Sequence, residues 1–248
     1  MRHLGLIGGS GLDHWGESVT RHPTTGIYGR PSADPLEYRI GNLCVYFLPR
    51  HGVQHEIPPH AVNYQANIDA FRQLEVEGII AINAVGGISS HQQPGGLTVP
   101  DQLIDYTWGR AHTFSRTATD QLQHIEFAQP FDQTLRSRLL KAAAIAQLDV
   151  TDGGCVGVSQ GPRLETAAEI RRFKRDGCDV VGMTSMPEAA LACEAGLAYA
   201  SLCIIANRAA GLEQQPVTME AIESVLAAAM HRVRKLLGQF FEEFSNVS

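Results

Sequence analysis

The sequence contains few cysteines, and none of them form a closely spaced pair. There are five in 248 residues, none in a C-x-x-C arrangement, and most lie inside apolar runs where a buried free thiol is typical. The sequence also lacks an apolar run of about 18 residues that could cross a bilayer, and it lacks a basic segment followed by an apolar one at its start. These absences predict a cytoplasmic protein without disulfides, signal peptide or transmembrane helix.

The charge balance gives no sign of a polyanionic partner. The formal net charge is −6, and the acidic residues are scattered instead of forming a tail. Nucleic acid and anionic membranes are therefore predicted to be poor partners. The hydrophobic fraction of 44% and the charged fraction of 19% are ordinary for a globular protein. The length favours a single domain over residues 1–248, although two small domains are possible.

Several nucleotide-binding and metal-binding motifs are absent. The glycine-rich turn at residues 8–11 is followed by His14 where a dinucleotide-binding turn needs its third glycine, and no Walker lysine or G-x-S-x-G elbow occurs. His55 and His60 are one residue too far apart for the H-E-x-x-H zinc motif, and Pro58 and Pro59 between them exclude the required helix. Together with His51 they could bind a metal in principle, but we predict none.

The apolar pattern alternates between strand-like and helix-like segments. Strands are predicted at residues 3–9, 36–48, 78–84, 155–158, 178–183 and 199–205. Helices are predicted at 61–77, around 135–148, from Glu165 onward and from about Thr218 to Phe244, whereas 89–96 and 109–130 are predicted to be irregular. The strand at 78–84 is expected to end before Gly86-Gly87. This alternation predicts an α/β fold, a single domain with one central mixed β-sheet flanked by helices.

Polar residues follow several of these strands, where an open α/β sheet binds its ligands. Ser10 offers a hydroxyl and a backbone N–H in a glycine-rich turn, and the Arg50 guanidinium has the geometry that suits phosphate. The candidates for such an anion site are Ser10, Arg50, His51, Asn83, Ala84 and Thr184. From spacing alone, a tight turn at Ser10 and a surface salt bridge at Arg50 remain equally acceptable.

Five motifs, in this order, resemble those of the trimeric purine nucleoside phosphorylase and methylthioadenosine phosphorylase family. They are Gly8-Gly9-Ser10-Gly11-Leu12-Asp13, Pro49-Arg50-His51-Gly52, Asn63-Tyr64-Gln65-Ala66-Asn67-Ile68, the Gly161–Thr166 segment and Pro187-Glu188. The resemblance covers nearly the whole chain. It implies the nucleoside phosphorylase fold, a homotrimer, inorganic phosphate as co-substrate at the anion site, and no cofactor or metal.

The resemblance also implies a purine site. An amide at Asn207 can donate to O6 of a purine and accept from a protonated N7, which would help the base leave as the catalytic step. Glu165 can accept from N1–H, and Leu164 can lie against the ring. Met183 is expected beneath the ribose, with Arg208 and Ala209 beside Asn207. Each residue alone has a structural alternative: Glu165 as a charge at a helix N-terminus, Asn207 as a turn residue.

The sequence departs from one branch of the family at two of these positions. Methylthioadenosine phosphorylases have Asp-x-Asp where this chain has Asn207-Arg208-Ala209, and they have serine in place of Glu165. Trimeric purine nucleoside phosphorylases have Glu and Asn there, as here. Only 6-oxopurines present N1–H to a carboxylate, so these residues predict a 6-oxopurine substrate.

The residues expected at the 5′ side of the ribose differ from those of the 6-oxopurine enzymes. In the 6-oxopurine enzymes a histidine holds the 5′-hydroxyl, and this chain has Met219 at that position, with Val217 and Ile222 nearby. His124 matches a segment that a neighbouring subunit contributes in the family. An apolar 5′ group such as methylthio is therefore expected, although these side chains could simply belong to the core. We predict phosphorolysis of S-methyl-5′-thioinosine. The alternatives are an inosine or guanosine phosphorylase, a methylthioadenosine phosphorylase, and a purine-binding protein without activity.

Overall fold

The computed structural model describes residues 1–12, 14–16, 20–115 and 123–245. Within these ranges the strands are β1 (His3–Gly8), β2 (Thr20–Arg21), β3 (Leu36–Ile40), β4 (Leu43–Pro49), β5 (Gly78–Gly87), β6 (Leu97–Val99), β7 (Gln102–Asp105), β8 (Thr151–Asp152), β9 (Cys155–Val158), β10 (Val180–Gly182) and β11 (Ala198–Arg208). The helices are α1 (Tyr64–Gln73), α2 (Gln133–Ile145), α3 (Ala167–Arg175), α4 (Ser185–Glu194) and α5 (Met219–Ser245). Asp13 and residues 116–122 of the segment predicted to be irregular lie outside the described residues.

All of these strands belong to one mixed sheet, which confirms the predicted fold class. The main path runs β2-β3-β4-β1-β5-β10-β9-β7, and β11 pairs with both β5 and β6. β1 is parallel to β4 and β5, and β5 is parallel to β11, whereas β10 meets the end of β5 antiparallel. The carboxyl ends of β1, β5 and β11 therefore lie at the same edge of the sheet, where ligands bind in folds of this kind.

Apolar helices cover both faces of the sheet. α2 and α5 pack together on one face, where α5 buries Leu226, Val233, Phe240 and other side chains of its apolar stripe. α1 and α4 pack on the opposite face. Full burial of one such Leu, Val or Phe side chain contributes about 1.5–3 kcal/mol, so these two layers supply most of the driving force for folding. None of the described helices is long and apolar enough to span a membrane.

Local capping sets the helix ends, and it moves two of them from their predicted places. α1 is shorter than the predicted 61–77 helix because Pro59 begins a 3-10 turn and the Asn63 side chain caps the helix by accepting from the backbone N–H of Ala66. α3 begins after Glu165 because Thr166 and Glu169 form a reciprocal capping box. Glu165 therefore precedes the helix instead of opening it, which leaves its carboxylate outside the cap.

The strand break predicted before Gly86-Gly87 is wrong. β5 continues through Gly87 because both edges of its end remain paired, to Arg208 of β11 and to Val180 of β10. A Cβ on Gly87 would lie only 2.1 Å from the carbonyl oxygen of Gln92, so the glycine permits a close backbone approach without ending the strand. The short strands β6 and β7 fall in a stretch for which the sequence predicted no strand.

Candidate active site

A cavity of about 510 Å³ opens at the carboxyl ends of the central strands. The turns after β1 and β4 and the carboxyl-terminal parts of β5, β10 and β11 all contribute to its wall. Twelve of the residues singled out from the sequence line it: Ser10, Arg50, His51, Ala84, Leu164, Glu165, Met183, Thr184, Asn207, Ala209, Met219 and Ile222. Residues up to 212 positions apart in the sequence thus surround one space.

The turn after β1 comes very close to the rest of the site. A Cβ on Gly9 would lie 2.3 Å from the carbonyl oxygen of Ile82 and 3.0 Å from Nη1 of Arg50. Only a glycine allows this approach, and it places Ser10 at the cavity wall. The Ser10 hydroxyl lies 3.4 Å from Nε2 of His55, a cavity residue whose sequence context indicated only a possible metal ligand.

Arg50 is fully buried and forms a bidentate ion pair. Its Nε and Nη2 donate to the two carboxylate oxygens of Glu188 at 2.7 Å each, and its Nη1 donates to the carbonyl of Ile82 at 3.0 Å. Tyr199 donates a further hydrogen bond to Glu188. Burial opposes the charge on Arg50, but Glu188 more than offsets it and raises the pKa of the guanidinium. Arg50 is therefore no surface salt bridge, and it keeps one N–H on each terminal nitrogen for a ligand.

His51 is neutral in this environment. Burial and the adjacent charge of Arg50 lower the pKa of His51 to about 4. The ring nitrogen Nδ1 lies 2.8 Å from the carbonyl oxygen of Ile57, which fixes the proton on Nδ1 and leaves Nε2 as an acceptor. His51 can thus contribute shape and a hydrogen bond to the cavity but no positive charge.

Asn83 stands behind the cavity wall, where it contacts Thr184. Its amide nitrogen donates to the Thr184 hydroxyl oxygen at 2.9 Å, and its amide oxygen accepts from the Ser201 hydroxyl at 2.9 Å. Asn83 does not line the cavity, in contrast to its expected place in the anion site. Because the Thr184 oxygen already accepts a hydrogen bond, its own proton is available to donate to an anion.

Glu165 lines the cavity as a largely buried carboxyl group. Its Oε1 accepts from the Ser159 hydroxyl at 2.5 Å. Burial raises the pKa of Glu165, and the bond from Ser159 opposes that rise. Ser159 follows β9 directly, and no sequence motif marks it, because its partner lies six residues away across a turn.

Asn207 reaches the cavity through an irregularity in β11. The pairing of β11 with β5 shifts register between Ile205 and Asn207. In the structure the Asn207 amide nitrogen donates to the carbonyl of Arg208 at 2.7 Å. Arg208, expected beside the base, does not line this cavity, and its guanidinium donates to the carbonyls of Ile88, Ser89 and Gln92.

The expected 5′ side is open in a single chain. Met219 lines the cavity but is 59% exposed, and Ile222 lies next to it on α5. Val217 lines a separate cavity of about 220 Å³, which also borders Asn207 from behind. His124 is exposed and is not among the residues around the main cavity. Within one chain, therefore, Met219 and Ile222 alone remain from the predicted 5′ group.

Arg110 connects two loops of the site, and no sequence pattern indicated it. Its guanidinium donates to the carbonyls of Gln160 (2.8 Å), Met183 (2.8 Å) and Met186 (2.6 Å). It thereby holds the loop before Glu165 against the loop that carries Met183 and Thr184. Arg110 lies in the segment predicted to be irregular, where only the tertiary structure reveals its partners.

The described part of the chain contains no cluster of three or more His, Cys, Asp or Glu side chains that could hold a metal ion. The cavity instead offers neutral donors, one buried guanidinium and the carboxyl groups of Glu56 and Glu165. This set is suited to an anion at one end and a polar heterocycle at the other.

The chain is similar to known phosphorylases over nearly its whole length. The family profile of the phosphorylase superfamily matches residues 3–242. A probable S-methyl-5′-thioinosine phosphorylase of Xanthomonas campestris pv. campestris is 47% identical, over 95% of this chain and 96% of that protein. A probable enzyme of the same name from Xylella fastidiosa is 46% identical, over 97% and 98%. Among solved structures, methylthioadenosine phosphorylase from Schistosoma mansoni in complex with adenine superposes with a TM-score of 0.94 at 31% identity, covering 100% of this chain and 93% of that one.

Proposed function

This chain belongs to the phosphorylase superfamily, and from that membership we propose that it catalyses the reversible phosphorolysis of S-methyl-5′-thioinosine. The products are hypoxanthine and 5-methylthioribose 1-phosphate. The enzyme is thus a pentosyltransferase of the nucleoside phosphorylase type. Inorganic phosphate is a co-substrate, and the reaction as written requires neither a cofactor nor a metal.

One observation carries the proposal: Glu165 and Asn207 line the same cavity as Ser10, Arg50 and Thr184. The first pair is complementary to N1–H, O6 and N7 of a 6-oxopurine, and the other residues supply donors for phosphate. A nucleoside bound between them has its C1′ next to the anion. Such placement replaces a bimolecular encounter by a reaction within one complex.

The chemistry follows from these positions. An oxygen of HPO4²⁻ attacks C1′ as the C1′–N9 bond breaks. The electrons of that bond pass to the purine, which takes up at N7 the proton that the new phosphate monoester releases. The Asn207 amide turns from the Arg208 carbonyl to donate to O6 and accept from N7–H. Arg50, Thr184 and the Ser10 turn hold the phosphate against the positive ribosyl centre. Asn83 acts through Thr184, whose hydroxyl it orients.

The 5′ group distinguishes this reaction from that of inosine. Burying a hydroxyl without a partner beside Met219 and Ile222 costs about 1–3 kcal/mol. A methylthio group gains roughly 0.8 kcal/mol for each buried carbon. Both effects favour the methylthio nucleoside, by about one to two orders of magnitude in kcat/KM.

A small nucleoside panel with and without phosphate tests the function. We expect base release from S-methyl-5′-thioinosine only when phosphate is present, with kcat/KM about 10- to 100-fold above that for inosine and above that for S-methyl-5′-thioadenosine. Equal release in phosphate-free buffer would identify a hydrolase. Equal rates for inosine would remove the apolar 5′ pocket, and a preference for the adenosine analogue would assign the base site to 6-aminopurines.

We further propose that the active unit is a homotrimer. The support is the 59% exposure of the apolar Met219 at the cavity wall, together with the exposed His124, which the family resemblance assigns to a neighbouring subunit. Light scattering at micromolar concentration should give three times the chain mass of 26.9 kDa. A fully active monomer would exclude a shared 5′ site.

The cytoplasmic location stays a prediction, supported by five free cysteines.

A further inference from the structure

Ser159 occupies a fixed position beside the base-binding carboxylate. It follows the last residue of β9, and its backbone N–H donates to the carbonyl of Gly182 in β10 at 2.8 Å. Its side chain is buried together with that of Glu165. The hydroxyl proton has two acceptors within reach, Oε1 of Glu165 at 2.5 Å and the Gly182 carbonyl at 3.5 Å. The shorter contact to a carboxylate is the stronger, so the proton lies toward Glu165.

The hydrogen bond from Ser159 to Glu165 affects which class of purine the site can bind. A carboxylate that accepts from Ser159 keeps further lone pairs for a second donor, and N1–H of a 6-oxopurine is such a donor. A carboxylic acid in the same place would present its own proton to N1–H, which is a clash of two donors. A 6-aminopurine has a bare acceptor at N1 and would suit only the protonated form. The state of Glu165 therefore selects between the two classes of purine.

We propose that Ser159 is a positioning residue that sets the base preference, because its hydroxyl holds Glu165 as an ionised acceptor for N1–H of a 6-oxopurine. This inference rests on the proposed function. Two other charged groups act on Glu165: Arg163 favours its ionised form, and Glu169 of α3 opposes it. These two are paired with each other at 2.8 Å on the surface, so their effects on Glu165 largely cancel. Ser159 is the direct side-chain donor.

The test compares Ser159→Ala with Ser159→Thr on S-methyl-5′-thioinosine and S-methyl-5′-thioadenosine. In the alanine variant we expect kcat/KM for the inosine analogue to fall about tenfold or more, mainly through KM, with a much smaller change for the adenosine analogue. Threonine keeps the hydroxyl and should restore the preference. Ser89→Ala is the matched control, because Ser89 makes the same hydroxyl-to-carboxylate contact with Asp179 outside the cavity.

The pH profile supplies a readout that a merely structural role would not change. Burial already raises the pKa of Glu165, and loss of the Ser159 bond removes an opposing effect. Activity on the 6-oxopurine is lost as pH falls through this pKa, so the acid limb of kcat/KM should move to higher pH in Ser159→Ala. If that variant does not fold, Ser159→Cys, with its weak donor, replaces it.

The outcomes are distinct. An unchanged base preference and an unchanged acid limb in a folded Ser159→Ala or Ser159→Cys enzyme would overturn the inference while leaving the proposed function intact. Wild-type enzyme that shows no phosphate-dependent cleavage of S-methyl-5′-thioinosine would overturn the proposed function, and this inference with it. A collapse of the preference that threonine restores supports both.

Discussion

Replacing Arg50 with methionine is expected to raise the phosphate KM about 100-fold and to lower the free energy of unfolding by about 3–5 kcal/mol. The first effect follows because the phosphate contact proposed for the guanidinium is lost. The second arises because Glu188, which has no exposed surface, would lose the guanidinium that now pairs with it and would retain Tyr199 as its side-chain donor. Steady-state kinetics at varied phosphate and chemical unfolding measure the two effects separately.

The double variant Arg50→Met/Glu188→Gln separates structure from binding. Glutamine removes the uncompensated charge and still accepts from the Tyr199 hydroxyl, so most of the lost stability should return. Phosphate binding should not return, because no cation has been restored. If the double variant recovered both stability and a normal phosphate KM, the ion pair would be purely structural and Arg50 would have no part in binding phosphate.

Replacing Asn207 with aspartate is expected to reduce kcat/KM for S-methyl-5′-thioinosine by about 100- to 10,000-fold. The carboxylate would face O6 with acceptors only, and it would also repel the carbonyl of Arg208 that the amide now bonds. S-methyl-5′-thioadenosine should lose much less, because its exocyclic amine can donate to Asp. The ratio of kcat/KM for the two substrates is the measurement.

Gln215→Glu provides the control for added charge. Gln215 lines the neighbouring cavity together with Asn207, so the variant places one more negative charge near the site without facing the base. It should leave the substrate ratio unchanged. An equal loss on both substrates in Asn207→Asp, matched by Gln215→Glu, would mean that the added charge repels phosphate and that Asn207 does not contact the base.

The sequence predicted the central elements well where the signal was local. The apolar runs at residues 3–9 and 155–158 correspond to β1 and β9, and the apolar stripe of the last helix corresponds to α5. Element ends were less predictable, since they depend on partners far along the chain. The end of β5 is held by β10 and β11, and no pattern around Gly86-Gly87 reveals those partners.

The candidate site divides in the same way. Residues in compact motifs, such as Ser10 and Arg50, could be singled out from the sequence, and both line the cavity. The partner that neutralises Arg50 lies 138 residues away, and the carbonyls that Arg110 holds are 50 to 76 residues away. Such pairings exist only in the folded chain. Arg208 was expected beside the base together with its neighbour Asn207, but Asn207 faces the cavity whereas Arg208 faces away from it.

The assembly of the cavity at the ends of β1, β5 and β11 has a consequence for how the enzyme forms. β5 and β11 pair over residues about 120 positions apart, and β1 must be inserted between β4 and β5. Contacts of such sequence separation form slowly, because the long intervening chain must be ordered first. The anion-site candidates Ser10 and Arg50 lie in the first half of the chain, whereas the base-site candidates Glu165 and Asn207 lie in the second. The cavity is therefore complete only once β11 has paired with β5, and a nascent chain that lacks β11 has neither Asn207 nor the Ser201 hydroxyl that bonds Asn83.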